Sequence, residues 1–191
     1  MGLKCIDNQL MNVDTEIKNV FQNILENDPN FWDFTYEDTK EYSHGYHSYP
    51  AMMIPQVARH LIRLILEKQK NIKNIFDPFM GSGTSIVEGM LHGLNAYGTD
   101  LNPLSRLISK VKSTPINPEL MSEVVNKFLN DVKNDFIKLE NNIIQIKKPN
   151  FKNIDYWFKP YVIEHLQVIK NNIKKIENQN IQMFLWVVFS E

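Results

Sequence analysis

The sequence predicts an α/β fold with parallel strands joined by right-handed crossovers, and two observations carry that prediction. From Ile54 to Val111 the patterns alternate in the order helix, strand, helix, strand, helix, which a bundle or a sandwich does not produce. Between the first strand and the helix after it lies a glycine-rich bend, Asp77-Pro78-Phe79-Met80-Gly81-Ser82-Gly83-Thr84. At 191 residues the chain suffices for one compact domain. We divide that domain into an N-terminal arm (1–50), an α/β core (51–115) and a helical extension (116–191).

The arm is polar and dotted with Phe21, Phe31, Trp32, Phe34 and Tyr36, with a short helix expected near Val13–Leu25 that packs on something else. Ile54, Val57, Ala58, Leu61, Ile62, Ile65 and Leu66 recur at helical spacing. Pro55 fits that helix's first turn, where its missing amide hydrogen would be unpaired anyway. Ile72 to Phe76 reads as a buried strand, Thr84 to Leu91 as a helix ended by a left-handed cap at Gly93, and Ala96 to Asp100 as the next strand. Pro103 opens a helix through Val111. Leu120 to Ile137 carries one apolar stripe on a long helix, and after a break near Pro149 two more helices are expected over Tyr161–Ile176 and Ile181–Phe189. Only two clear strands are visible, and a two-stranded sheet is marginal, so the domain reads as incomplete.

Composition excludes several classes. Hydrophobic residues at 43% and charged residues at 23% are ordinary for a folded globular chain. The net charge of -1 conceals an asymmetry, with 8 basic and 13 acidic side chains in residues 1–100 and 13 basic and 9 acidic in the remainder. A dedicated nucleic-acid module is usually far more basic. Lys147, Lys148, Lys152 and Lys159 would form a basic edge, a solvated face with scattered lysines being the simpler reading. A single cysteine, Cys5, excludes an intrachain disulfide and a thiolate-rich zinc site, and fits a reducing interior. With no secretory h-region and no apolar run long enough for a bilayer, a cytoplasmic location is expected.

The bend is where an α/β sheet receives a nucleotide-like ligand. Its glycines permit torsions closed to other residues and let a ligand approach the main chain, and the helix behind it presents free amides. No Gly-Lys-Ser/Thr is present, which excludes a phosphate-cradling ATPase loop, and Ile86 stands where a nicotinamide site needs its third glycine. Asp77 at the strand end would repel a pyrophosphate but suits a ligand with an ammonium or sulfonium group, unless it only caps the turn. Asp100, 17 residues after Gly83, can accept hydrogen bonds from both hydroxyls of a ribose, or else cap the helix at Pro103.

These residues carry a resemblance to the amino-methylating DNA methyltransferases of bacterial restriction-modification systems, which modify cytosine N4 or adenine N6. Asp77-Pro78-Phe79-Met80-Gly81-Ser82-Gly83-Thr84 matches that family's signature for S-adenosylmethionine. His44-Gly45-Tyr46-His47-Ser48-Tyr49-Pro50-Ala51 resembles its preceding cofactor motif, and Tyr97-Gly98-Thr99-Asp100-Leu101-Asn102-Pro103-Leu104 matches the ribose and adenine region. The resemblance is strong over about 44–112. More loosely, the helices from Trp157-Phe158 to Glu191 resemble an insert of cytosine-N4 members. It implies a partial Rossmann-like methyltransferase fold with additional C-terminal helices. Tyr49 and Pro50 would line the methionine side, the backbone near Phe79 and Gly81 would close over the sulfonium, Asp100 would bind ribose, and Leu101 or Asn102 would touch adenine. Double-stranded DNA would be the substrate. For His44 and His47, local hydrogen bonding or DNA contact is expected in place of a metal.

The family's catalytic loop, Ser/Asp/Asn-Pro-Pro-Tyr/Phe, has no counterpart, since no Pro-Pro pair occurs anywhere in the chain. No catalytic residue is therefore assigned, and the chain reads as an N-terminal half. A second polypeptide would supply the catalytic loop and target-recognition region, and the apolar Met183–Phe189 run is expected to form part of the surface it covers. The alternatives are an adenine-N6 enzyme, an inactive cofactor-binding fragment, and a non-enzymatic scaffold pairing through its C-terminal helices.

Overall fold

The computed structural model describes residues 2–191, with side chains from Asp14 onward. The chain divides into two units, Met1–Ser113 and Thr114–Glu191.

The first unit opens with helix α1 (Gly2–Asn27), longer than the expected helix at both ends, and a connection that contains a 3₁₀ turn at His44–Tyr46. Helix α2 (Pro55–Lys68) follows, with Pro55 in its first turn as expected. The aromatic residues of the arm gather on α2: Phe31 meets His60 edge-on at 5.1 Å and Phe34 stacks on it at 5.5 Å. Burial and the neighbouring Arg63 and Arg59 push the His60 imidazole below its ordinary value.

Strand β1 (Asn74–Asp77), helix α3 (Thr84–Leu91), strand β2 (Asn95–Gly98) and helix α4 (Pro103–Lys112) form the βαβα core. The strands pair in parallel, Ile75 opposite Ala96 and Phe76 opposite Tyr97. Pairing sets their limits: the Asn95 amide bonds the Lys73 carbonyl, so the ladder begins at 73, whereas the Ile72 amide closes a turn onto Gln69. The first strand therefore starts two residues later than its apolar pattern predicts. The second ends at Gly98, two residues short of Asp100.

One face of the sheet packs on α3, and Gly89 makes this approach possible, since a β-carbon there would lie 2.6 Å from Ile75 Cγ2. The opposite face carries Phe76 and Tyr97, 62% and 57% exposed. Helix α3 ends in a Schellman motif, with Gly93 at φ 75° and the amides of Gly93 and Leu94 bonding the carbonyls of Met90 and Gly89.

The second unit is helical: α5 (Pro118–Glu140), the single turn α6 (Ile154–Trp157), α7 (Pro160–Ile173) and α8 (Gln179–Ser190). Its core joins Ile173, Ile181 and Leu185 to Met121, Val124, Phe128 and Trp186. The Gln182 amide bonds the carbonyls of Ile173 and Ile176 and so caps the end of α7. The Met183–Phe189 run thus has a different role from the one expected. Leu185 and Val187 are buried and Phe184, Trp186 and Phe189 pack against the core, because α8 turns its apolar face inward and leaves only Val188 largely exposed. No described helix is long and apolar enough to cross a membrane.

Candidate functional site

Three segments of the first unit converge: the bend after β1, the turn after β2, and the strap 43–53 that precedes α2. The bend is closed by hydrogen bonds from the Met80 amide to Thr99 O (3.1 Å) and from the Gly83 amide to Met80 O (2.7 Å). Gly81 and Gly83 both adopt left-handed torsions, φ 50° and 84°, but their surroundings differ. A β-carbon on Gly83 would lie 2.4 Å from Ser109 Oγ, so this glycine lets α3 and α4 close on each other; one on Gly81 would meet nothing within 4 Å, so that residue faces open space.

Asp77 caps this turn, accepting from the Phe79 amide at 2.9 Å and, through its other oxygen, from the Ser85 hydroxyl. Asp100 reaches back to the bend: its Oδ2 accepts from the Gly81 amide at 3.0 Å while Oδ1 accepts from the Asn102 amide at 2.8 Å. The bend and the end of the second strand therefore share one crevice. Asp100 does not cap α4, a role taken by Asn102, whose Oδ1 accepts from the Leu104 amide.

The strap is fastened at several points. The Tyr49 hydroxyl accepts from Asn102 Nδ2 (3.1 Å) and Ser105 Oγ (2.6 Å). Thr84 Oγ1 donates to Met53 O (3.4 Å) and Ser43 Oγ to Lys112 O (2.9 Å). Between strap and bend lies a cavity of about 210 Å³, lined by Tyr49, Asp77, Phe79, Met80, Gly81, Ser82 and Thr84 among others. Of the other candidates, Gly83 is packed on α4, Pro78 accepts from the Thr99 hydroxyl at its carbonyl, and Asn102 uses both ends of its amide internally. Pro50 and Leu101 are exposed, Leu101 at 99%.

His44 is buried, and its Nε2 lies 3.0 Å from Glu88 Oε1. Glu88, fully buried on α3, also receives two hydrogen bonds from Arg59, which in turn bonds Glu41. Burial pushes the Glu88 carboxyl up, but the hydrogen bonds from His44 and Arg59 outweigh it and hold it below its ordinary value. An ionised carboxylate only accepts, so His44 Nε2 carries the proton in this pair. The histidine of the upstream motif is thus an anchor binding the strap to α3. Among the described residues no cluster of His, Cys, Asp and Glu fit for a metal occurs.

Sequence reasoning did not single out Glu88, Arg59, Ser105 or Lys112. A carboxylate at the centre of the apolar run Ile86–Leu91 was the available signal for the first. Lys112 is buried at the end of α4, and burial pushes its amine down to about 8.

A family model described as DNA methylase matches residues 9–111. The chain is 45% identical to type II methyltransferase M.MvaI of Kocuria varians over 159 residues, 83% of this chain and 35% of that protein. It is 28% identical to type II methyltransferase M.MjaII of Methanocaldococcus jannaschii over 139 residues, 65% of this chain and 26% of that protein. It thus spans about a third of the length of these curated relatives or less. No solved structure matches.

Proposed function

The chain belongs to the DNA methylase family, among the amino-methyltransferases of restriction-modification type, and on that premise we propose that it forms the S-adenosylmethionine-binding part of an enzyme that methylates an exocyclic amine of a DNA base. The observation that carries this reading is the hydrogen bond from the Gly81 amide to Asp100, which holds the glycine bend and the second strand end on one crevice. The open space before Gly81 fits the close approach of a ligand to main chain, and the cavity between bend and strap fits its amino-acid end.

When bound, S-adenosylmethionine supplies an electrophilic methyl group. The protein's part is alignment and electrostatic surroundings. Asp100 retains lone pairs beyond the two it uses on backbone amides and accepts the ribose hydroxyls. Asp77 sets negative charge beside the cationic region, Tyr49 and Pro50 line the methionine side, and the exposed Leu101 supplies an apolar surface for adenine. The segment 79–84 forms the wall against which the ligand lies.

Of the two amines we assign cytosine N4, on the resemblance of helices 157–191 to the insert of cytosine-N4 members. A second polypeptide supplies the catalytic loop. The bare sheet face of Phe76 and Tyr97 supports this, because parallel sheets are normally covered on both faces. For duplex DNA, exposed Lys147, Lys152 and Lys159 offer charge and the exposed rings of Tyr156 and Trp157 offer stacking surface, while Lys148 is already paired with Asp155.

Calorimetric titration with S-adenosylmethionine tests the cofactor assignment. Asp100→Ala is expected to weaken binding by about 10- to 150-fold, the loss of hydrogen bonds to a charged acceptor at roughly 1.5–3 kcal/mol. Equal affinities in a variant that melts like wild type would defeat it. Nucleoside analysis of DNA methylated after adding the partner chain separates N4-methylcytosine from N6-methyladenine.

A further inference from the structure

Two buried charges of the first unit, Glu88 and Lys112, contrast sharply. Glu88 meets His44 and Arg59, whereas the acceptor that Lys112 Nζ meets among the described residues is the weakly accepting Met52 sulfur at 3.8 Å. Lys112 is only 6% exposed. No carboxylate lies within ion-pair distance of it among the described residues, and desolvation alone lowers its pKa. A cation removed from water without a counter-charge is costly, and proteins normally pair it.

Lys112 lines a cavity of about 250 Å³ together with Thr39, Lys40, Ser48, Tyr49 and Thr84. This cavity shares Tyr49, Met52, Met53 and Thr84 with the one beneath the glycine bend, so the two adjoin. The hydrogen bond from Ser43 Oγ to the Lys112 carbonyl fixes the helix end that carries the amine. Resting on the cofactor reading above, we propose that Lys112 is a cofactor-binding residue that takes the α-carboxylate of S-adenosylmethionine. The charges of the two cavities are complementary: Lys112 lines one, and Asp77 lines the other, where the cationic part belongs. A phosphate held in a duplex cannot reach an amine this buried, whereas a carboxylate on a short aliphatic arm can.

Titration of wild type and Lys112→Met with S-adenosylmethionine and with its decarboxylated analogue isolates this contact. Wild type is expected to prefer the carboxylate form by 10- to 100-fold. Lys112→Met should lose that preference and bind the decarboxylated analogue within about twofold of wild type, while melting no lower because an unpaired buried cation is gone. A second variant, Met52→Glu, places an internal carboxylate by the amine and should abolish the preference with Lys112 in place. Lys112→Met binding S-adenosylmethionine as wild type does would overturn the proposal. A wild type that took both nucleosides equally while sulfate raised its melting temperature only with Lys112 present would overturn it in favour of a free-anion site. Failure of wild type to bind either nucleoside would bring down the cofactor reading itself, and the carboxylate assignment with it.

Discussion

Glu88 is the buried fastening of the strap, through His44. Its partners stand 44 and 29 positions earlier in the chain, so no local pattern announces the contact, and only folding brings the three together. Removing the carboxylate leaves Arg59 with Glu41 alone and His44 buried without its acceptor. Glu88→Ala is therefore expected to destabilise the protein by about 3–5 kcal/mol, the usual cost of breaking one side of a buried ion pair. Urea denaturation measures it, and a loss below about 1 kcal/mol would contradict the anchor role. The pH dependence has a definite sign. Because the folded Glu88 carboxyl titrates below its ordinary value, the unfolded chain binds more protons in the window between that lowered value and about 4.3. The contribution is complete above about pH 4.3 and is lost as pH falls through the folded value. Glu88→Gln should flatten this limb of the stability curve.

At the scale of elements, the bend separates two uses of glycine that the motif alone presents as equivalent. Gly83→Ala drives a methyl group into Ser109 at a left-handed torsion, so it should cost about 1–3 kcal/mol of overpacking beyond about 1–2 kcal/mol of backbone strain. Gly81→Ala meets no neighbour and should lower stability by the backbone cost alone, yet weaken nucleoside binding by filling the space before the main chain. Thermal melts and titrations of both variants test this, and the reverse ranking in either measurement would contradict it. The elements themselves were largely legible: Thr84–Leu91 stands where its pattern puts it, and Gly93 ends it by the expected left-handed cap. What escaped was set at a distance. The strand limits depend on where Asn95 finds Lys73, and the 3₁₀ turn at His44–Tyr46 has no periodicity to reveal it. The bend and Asp100, which the Gly81 amide joins, were legible because both lie in contiguous motifs; the burial of Lys112 was not, because an amphipathic helix end gives no sign that its lysine turns inward.

For the whole molecule, the sheet states most clearly what the chain requires. Its two parallel strands are covered by α3 on one face, while Phe76 and Tyr97, cross-strand neighbours, stand exposed on the other. Parallel sheets are normally covered on both faces, and burying both rings releases on the order of 2–5 kcal/mol at about 25 cal/mol per Å². If a second polypeptide completes the fold, as proposed above, this is the face it would cover. The double substitution Phe76→Glu and Tyr97→Glu removes that apolar surface and sets two like charges opposite each other, at a cost to the isolated chain of about 1 kcal/mol or less, since both side chains stand mostly in solvent. The variant should therefore keep its melting temperature within a few degrees and its affinity for S-adenosylmethionine, but lose association with the partner polypeptide and the DNA methylation that depends on it. Sedimentation of the mixture, with methylation measured alongside, reads both consequences. A double variant that still assembled and methylated like wild type would show that the completing chain docks elsewhere.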